Sequence, residues 1–176
     1  MEKGRIIAAF GAAIAVACLS VPPLSASDER PNSFARQLLE VHNDARDDVG
    51  VPPMQWSQRL ARQAQDWAEV LASEGRMRHT THAQREGAGE NLWMGAAGYY
   101  GADVMVGAFV DERRYFRAGT FPNVSTTGQW RDVGHYTQVI WGETREVGCA
   151  VARGRDNDFL VCRYWPAGNT YDRPVF

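Results

Sequence analysis

The sequence predicts an α+β domain in which helices cover a small antiparallel sheet. Two helix-period runs follow residue 32, a third helical stretch spans about Ala102 to Phe116, and two strand-like runs close around one turn-rich segment near the end. The first helix starts at Ser33, carries Phe34, Leu38, Val41, His42 and Ala45 three or four residues apart, and is closed by Gly50. Pro52-Pro53 then imposes an extended link. Ser57 is a good N-cap for the second helix, which aligns Leu60, Ala61, Ala64, Trp67, Ala68 and Leu71 on one face before Gly75. Residues 76–100, with Gly87, Gly89, Gly95, Gly98 and two histidines, show no clean period and read as loop with local structure. Residues 117–133 read as irregular, and residues 147–151 and 159–164 as strands on either side of Gly154-Arg155-Asp156-Asn157-Asp158.

The start of the chain reads as an export signal. Lys3 and Arg5 give a charged head, Ile6 to Val21 is apolar apart from Ser20, and Leu24-Ser25-Ala26-Ser27 offers small residues for cleavage. The expected organisation is a signal peptide over 1–26, a polar lead-in over 27–32, and one domain over 33–176. An uncleaved anchor is the alternative, although the apolar run is short for a spanning helix and ends in Pro22-Pro23. The expected location is therefore outside the cell or in its envelope, periplasmic in a Gram-negative bacterium, with no membrane span after cleavage.

Removing 1–26 takes Lys3, Arg5 and Glu2 away and leaves 17 basic and 20 acidic residues. That balance gives no reason to expect nucleic acid as partner. Lys3 is the only lysine, so the mature chain has no Schiff-base lysine or lysine base. No GxSxG elbow is present, and Cys149 and Cys162 are the two cysteines beyond the signal. Folding 147–164 as a hairpin about the Arg155/Asp156 midpoint sets Cys149 opposite Cys162, and in an oxidising compartment the pair is expected to form a disulfide. Two small buried thiols are the alternative.

On the third helix, Met105, Ala108 and Phe109 define an apolar face that Glu112 continues at the next step. A carboxylate aligned with a buried stripe is desolvated unless a cation, a histidine or a metal pairs with it, or unless it bends out to water at the helix end. Of the four histidines, His42 lies on the buried side of the first helix and reads as a hydrogen-bonded core residue. His79 and His82 lie three apart in the loop region, and His135 opens the run 135–141 after Gly134. There is no HExxH and no tight Cys/His spacing, so residue pattern alone does not specify a metal site.

Several segments together resemble the CAP superfamily of cysteine-rich secretory proteins, venom antigen 5 and plant pathogenesis-related class 1 proteins. They are His42-Asn43-Asp44-Ala45-Arg46, Gly89-Glu90-Asn91-Leu92, the run Gly134 to Trp141 (GHYTQVIW), and Val161-Cys162-Arg163-Tyr164-Trp165-Pro166-Ala167-Gly168-Asn169. The resemblance implies a three-layer α-β-α sandwich with a three-stranded antiparallel sheet, and a short helix opened by His135. It also implies a central cleft of two histidines and two glutamates, which fall on His79, Glu90, Glu112 and His135. Thr80 stands where the family usually has serine after the first histidine.

For such a cleft the expectation is a divalent cation, zinc foremost, held weakly by His79 and His135, with Glu90 and Glu112 orienting the imidazoles or polarising water. A binding module is preferred. A metal-assisted, protease-like hydrolase using Glu90 or Glu112 as base is the alternative, and a purely structural polar cluster is a third reading. The resemblance also suggests sterol or lipid binding at a separate apolar site, or an extracellular protein partner. Leu92-Trp93-Met94-Gly95 and Gly98-Tyr99-Tyr100-Gly101 supply suitable residues for it, unless Trp93 simply packs into the core.

Overall fold

The computed structural model describes Met1 and residues 32–176, so the expected signal and all but the last residue of the lead-in lie outside the described residues. Helix α1 (Ser33–Asp47) starts where the Asn32 side chain accepts the amide of Ala35, and it buries Leu38, His42, Ala45 and Arg46. After the two prolines, a short strand β1 (Gln55–Trp56) forms before α2 (Gln58–Glu74). Ser57 holds the N-cap position of α2 without a side-chain cap bond, and Gly75, at φ +64°, ends it in a left-handed conformation that suits glycine.

Residues 89–96, expected as loop, form an eight-residue strand, β2 (Gly89–Ala96). Gly89 and Gly95 dilute its alternation, and its partner rather than its own propensity makes it a strand. Helix α3 (Ala102–Val110) stops earlier than the helix expected to reach Phe116, and the chain tightens into a 3₁₀ turn (Asp111–Tyr115). A second 3₁₀ turn (Trp130–Val133) leads into α4 (Gly134–Val139), then β3 (Glu146–Arg153) and β4 (Asn157–Trp165). The sheet has four strands in the order β1-β3-β4-β2, not the three implied by resemblance, because β1 adds a two-residue parallel pairing to β3. The longer pairings, β3 with β4 and β4 with β2, are antiparallel.

The pleat sorts the core into two layers. Ala152, Phe159, Val161 and Leu92 pack against Ala64, Trp67, Ala68 and Leu71 of α2. On the opposite face, Val147, Cys149, Leu160, Cys162 and Tyr164 meet side chains from α1, α3 and α4. The result is an α-β-α sandwich. Cys149 and Cys162 are register partners and are joined as a disulfide, with Cα atoms 4.1 Å apart. No helix among the described residues is long and apolar enough to cross a membrane.

Two buried side chains tie the layers together. Arg46 has no exposed surface and donates to four backbone carbonyls, those of Pro52, Val139, Trp141 and Thr144. Burial lowers its guanidinium to about 10, with Arg145 adding repulsion. His42 bonds the carbonyl of Leu38 through Nδ1 and the hydroxyl of Tyr164 through Nε2. Burial lowers His42 to about 4, against the Leu38 carbonyl and with help from Arg46.

A histidine whose folded pKa lies below its unfolded value of about 6.5 contributes stability that is full above 6.5 and is lost as the pH falls. The window runs from about 6.5 down to about 4. Denaturant unfolding across that window is expected to show a stability loss of about 3 kcal/mol, largely removed in His42→Asn. A wild type whose pH dependence matches the variant's contradicts the assignment.

Candidate functional site

Glu90 faces the α2 side of β2 with a side chain only 1% exposed. Its Oε1 accepts Nδ1–H of His79 at 2.6 Å and the amide of Thr80 at 3.1 Å. Its Oε2 accepts the Thr80 hydroxyl and Arg163 Nη1, each at 3.0 Å. Burial alone would push this carboxyl up; the His79 hydrogen bond, Arg163 and the Thr80 hydroxyl outweigh it and hold Glu90 below the ordinary carboxylate range. Arg163, itself 2% exposed, is lowered by burial and supported by Glu90.

Glu112 does the same on the other side. It sits in the 3₁₀ turn after α3, and its Oε1 accepts Nδ1–H of His135 at 2.6 Å. Its Oε2 accepts the backbone amides of His135 at 2.9 Å and Tyr136 at 3.1 Å. This contact accounts for the early end of α3: the tighter turn carries the carboxylate to the first amides of α4, which have no partner within their own helix. His135 is further fixed by stacking on Phe109, with ring centroids 5.0 Å apart and planes 20° from parallel.

The short α4 is held from three sides. Asn169, in the left-handed region at φ +55°, donates to the carbonyl of Gly134 and accepts the hydroxyl of Thr137. Asn91 Nδ2 donates to the carbonyl of His135 and to the Tyr164 hydroxyl, both at 3.1 Å. Gln138 accepts the amide of Gly168 at 3.0 Å. A Cβ at position 89 would collide with the Gln138 side chain, so glycine lets β2 pass directly against α4.

Between these parts lies a cleft of about 740 Å³. His79, His82, Glu90 and His135 lie on its wall, together with Arg85, Trp130, Arg131 and Asn169. Glu112 is not on that wall; it stands behind His135, its side chain 20% exposed. The four residues named from sequence are thus arranged as two histidine–glutamate pairs. A carboxylate oxygen accepts in these contacts, so each Nδ1 carries a proton, and the singly protonated form of each ring presents its lone pair at Nε2. Among the described residues neither Nε2 has a partner, and the side chains of His79 and His135 are 56% and 35% exposed.

A carboxylate that holds Nδ1–H leaves Nε2 oriented and basic, which suits an imidazole to a divalent cation. His79 and His135, both on the cleft wall, fit such a group as two ligands, and among the described residues no group of three or more ligating side chains includes them. A tighter cluster, His42 with Cys149 and Cys162, has its ligand atoms within 4.8 Å of one another. Its sulfurs are bonded to each other and both His42 nitrogens are engaged, so it offers no thiolate and no free lone pair.

A model of the Cysteine-rich secretory protein family, CAP, matches residues 39–164, most of the chain. The chain belongs to this family. Pathogenesis-related protein 1A of Nicotiana tabacum is 36% identical over 141 residues, 80% of this chain and 79% of its own length. The Golgi-associated plant pathogenesis-related protein 1 of Homo sapiens is 31% identical over 81% of this CAP chain and 89% of its own. Among solved structures, that of NaASP2 with Zn2+ aligns with TM-score 0.70 and 25% identity, over 83% of this chain and 88% of that one. BmVAL-1, with TM-score 0.67 and 20% identity over 86% and 85% of the two chains, shows the same fold.

From sequence, Arg163 and Asn91 enter only as members of motifs and Thr80 only as a replacement for serine, with no role in the cleft assigned to them, and the cleft arginines do not enter at all. Arg163 carries a legible signal for its role, a charge inside an otherwise apolar strand run, whereas Arg85 and Arg131 carry none. In this CAP domain Glu112→Ala leaves the amides of His135 and Tyr136 and one ring N–H without their acceptor. The expected cost is about 2 kcal/mol or more, with faster hydrogen exchange at those two amides. A cost near zero with unchanged exchange would show that Glu112 does not anchor α4.

Proposed function

We propose that this CAP domain is a binding module whose cleft holds a divalent cation, zinc best of all, through Nε2 of His79 and His135. The observation that carries this reading is the pair of Nδ1–carboxylate bonds, 2.6 Å each, which fixes tautomer and ring orientation on both sides of one cleft. The similarity to NaASP2, whose structure includes Zn2+, supports it. With two imidazoles and, among the described residues, no third ligand grouped with them, binding would be weak and reversible.

A cation held there by His79 and His135 would supply Lewis acidity to the cleft. The chain's own groups orient it: Glu90 holds His79, and Glu112 holds His135 together with the start of α4. A metal-assisted hydrolase would need one of these carboxylates to release its histidine and take a proton from water. Their commitment to the imidazoles favours binding over catalysis. The export signal over 1–26 and a location outside the cell or in its envelope accord with the secretory name of the family.

Zinc titrated into the purified mature protein is expected to give stoichiometric heat that a His79→Ala/His135→Ala double variant loses. Equal heat from both proteins sinks the cation reading. Peptide or ester turnover abolished in Glu112→Gln but retained in the double histidine variant would favour hydrolysis without the metal.

A second reading, lipid or sterol binding at a separate apolar surface, draws on the turn after β2. Tyr99 is 82% exposed, with Met94, Tyr100 and Val104 between 40% and 45% exposed. Trp93 is half-buried, packs on the core and meets Tyr100 edge-on, so the exposed part of the surface lies beyond it. Native mass spectrometry after exposure to a lipid panel is expected to show bound lipid that Tyr99→Ser reduces; no adduct from any lipid class contradicts this reading.

A further inference from the structure

The cleft has a charge character that the cation reading does not use. The chain as a whole carries a formal charge of −2. The cleft wall nevertheless holds two arginines, Arg85 and Arg131, and three histidines, against one carboxylate, Glu90. That carboxylate is 1% exposed and already occupied by His79, Thr80 and Arg163. It therefore presents almost no negative surface to anything entering.

The arginines are not used up. Arg131 is exposed, lies over the Trp130 ring at 4.9 Å from its centroid, and has no ion-pair partner among the described residues. Arg85 spends one nitrogen on the carbonyl of Thr80, stands 3.9 Å from Glu90, and has an Nε that is buried and without a hydrogen-bond partner. Low-dielectric walls lined by one sign of charge focus attraction on the opposite sign, and a guanidinium fork matches the geometry of oxyanions. At about 740 Å³ the space admits a small molecule and not only a bare ion.

We propose that this cleft takes a small oxyanionic ligand, a carboxylate or phosphate, gripped by Arg85 and Arg131 beside His79 and His135. The arginines act whether or not a cation is present, so this goes beyond the cation reading. If the two histidines hold a cation, its positive charge would add to that of the arginines, and cation and anion would bind cooperatively.

The test is calorimetric titration of inorganic phosphate, and separately of citrate, into the mature protein, both metal-free and zinc-loaded. Saturable binding of one anion per chain to the metal-free protein is expected, at least about tenfold weaker in Arg85→Gln/Arg131→Gln, the loss of a charge-assisted hydrogen bond. Arg131→Gln alone, at an exposed position, keeps the test decisive if loss of the Arg85–Thr80 contact disturbs folding. Zinc is expected to tighten anion binding in wild type and not in His79→Ala/His135→Ala. Zinc binding without any anion binding, or equal anion binding by wild type and the arginine variants, overturns the proposal and leaves the cation reading intact. Arginine-dependent anion binding in a chain that takes no zinc upholds the proposal and removes the cation reading instead.

Discussion

A carboxylate that holds an imidazole and the backbone beside it at the same time is the device on which this site depends. Glu112 takes the ring of His135 together with the amides of His135 and Tyr136. Glu90 takes the ring of His79 together with the amide and hydroxyl of Thr80. In each case the ring cannot turn without breaking a charge-assisted bond, and the local chain cannot drift without taking the ring along. A free loop histidine would lose rotamer entropy on binding anything; these two have already lost much of it in folding.

The two devices are coupled through the core rather than through each other. The Tyr164 hydroxyl meets His42 of α1 on one side and Asn91 of β2 on the other, and Asn91 continues to the carbonyl of His135. The phenol is buried, which raises its pKa and keeps it a neutral donor and acceptor. One hydrogen-bonded line thus runs from the first helix through the central and outer strands to the start of α4. Arg46 crosses the same interior by a different route, ending on the carbonyls of Val139, the last residue of that helix, and of Trp141 and Thr144 just beyond it.

What was legible in the sequence follows from which forces are local. Helix starts and stops at Ser33, Ser57 and Gly75 depend on nearby residues, and so does the hairpin symmetry that pairs Cys149 with Cys162. Glu112 was legible as a carboxylate in need of a partner, because a buried stripe demands one, but its partner was not, since His135 lies 23 residues away. The strand over 89–96 was hidden for the same reason: its pairing with β4 reaches across most of the second half of the chain. The choice of His79, Glu90 and His135 came from motif resemblance, and no periodicity in 76–100 would have supplied it.

The missing side chain at Gly89 has a consequence of its own. It lets the strand carrying Glu90 press against Gln138, one turn along from His135. The outer strand and the helix therefore meet here through the side-chain amide of Gln138, itself engaged by Gly168 and Thr144, with no strand side chain in between. A larger residue there would meet that amide and displace either the Gln138 side chain or the strand. A protein engineer wanting a different grip, for a larger ion or a bulkier guest, would find at this position a strand-to-helix contact to alter, separate from the groups that do the holding.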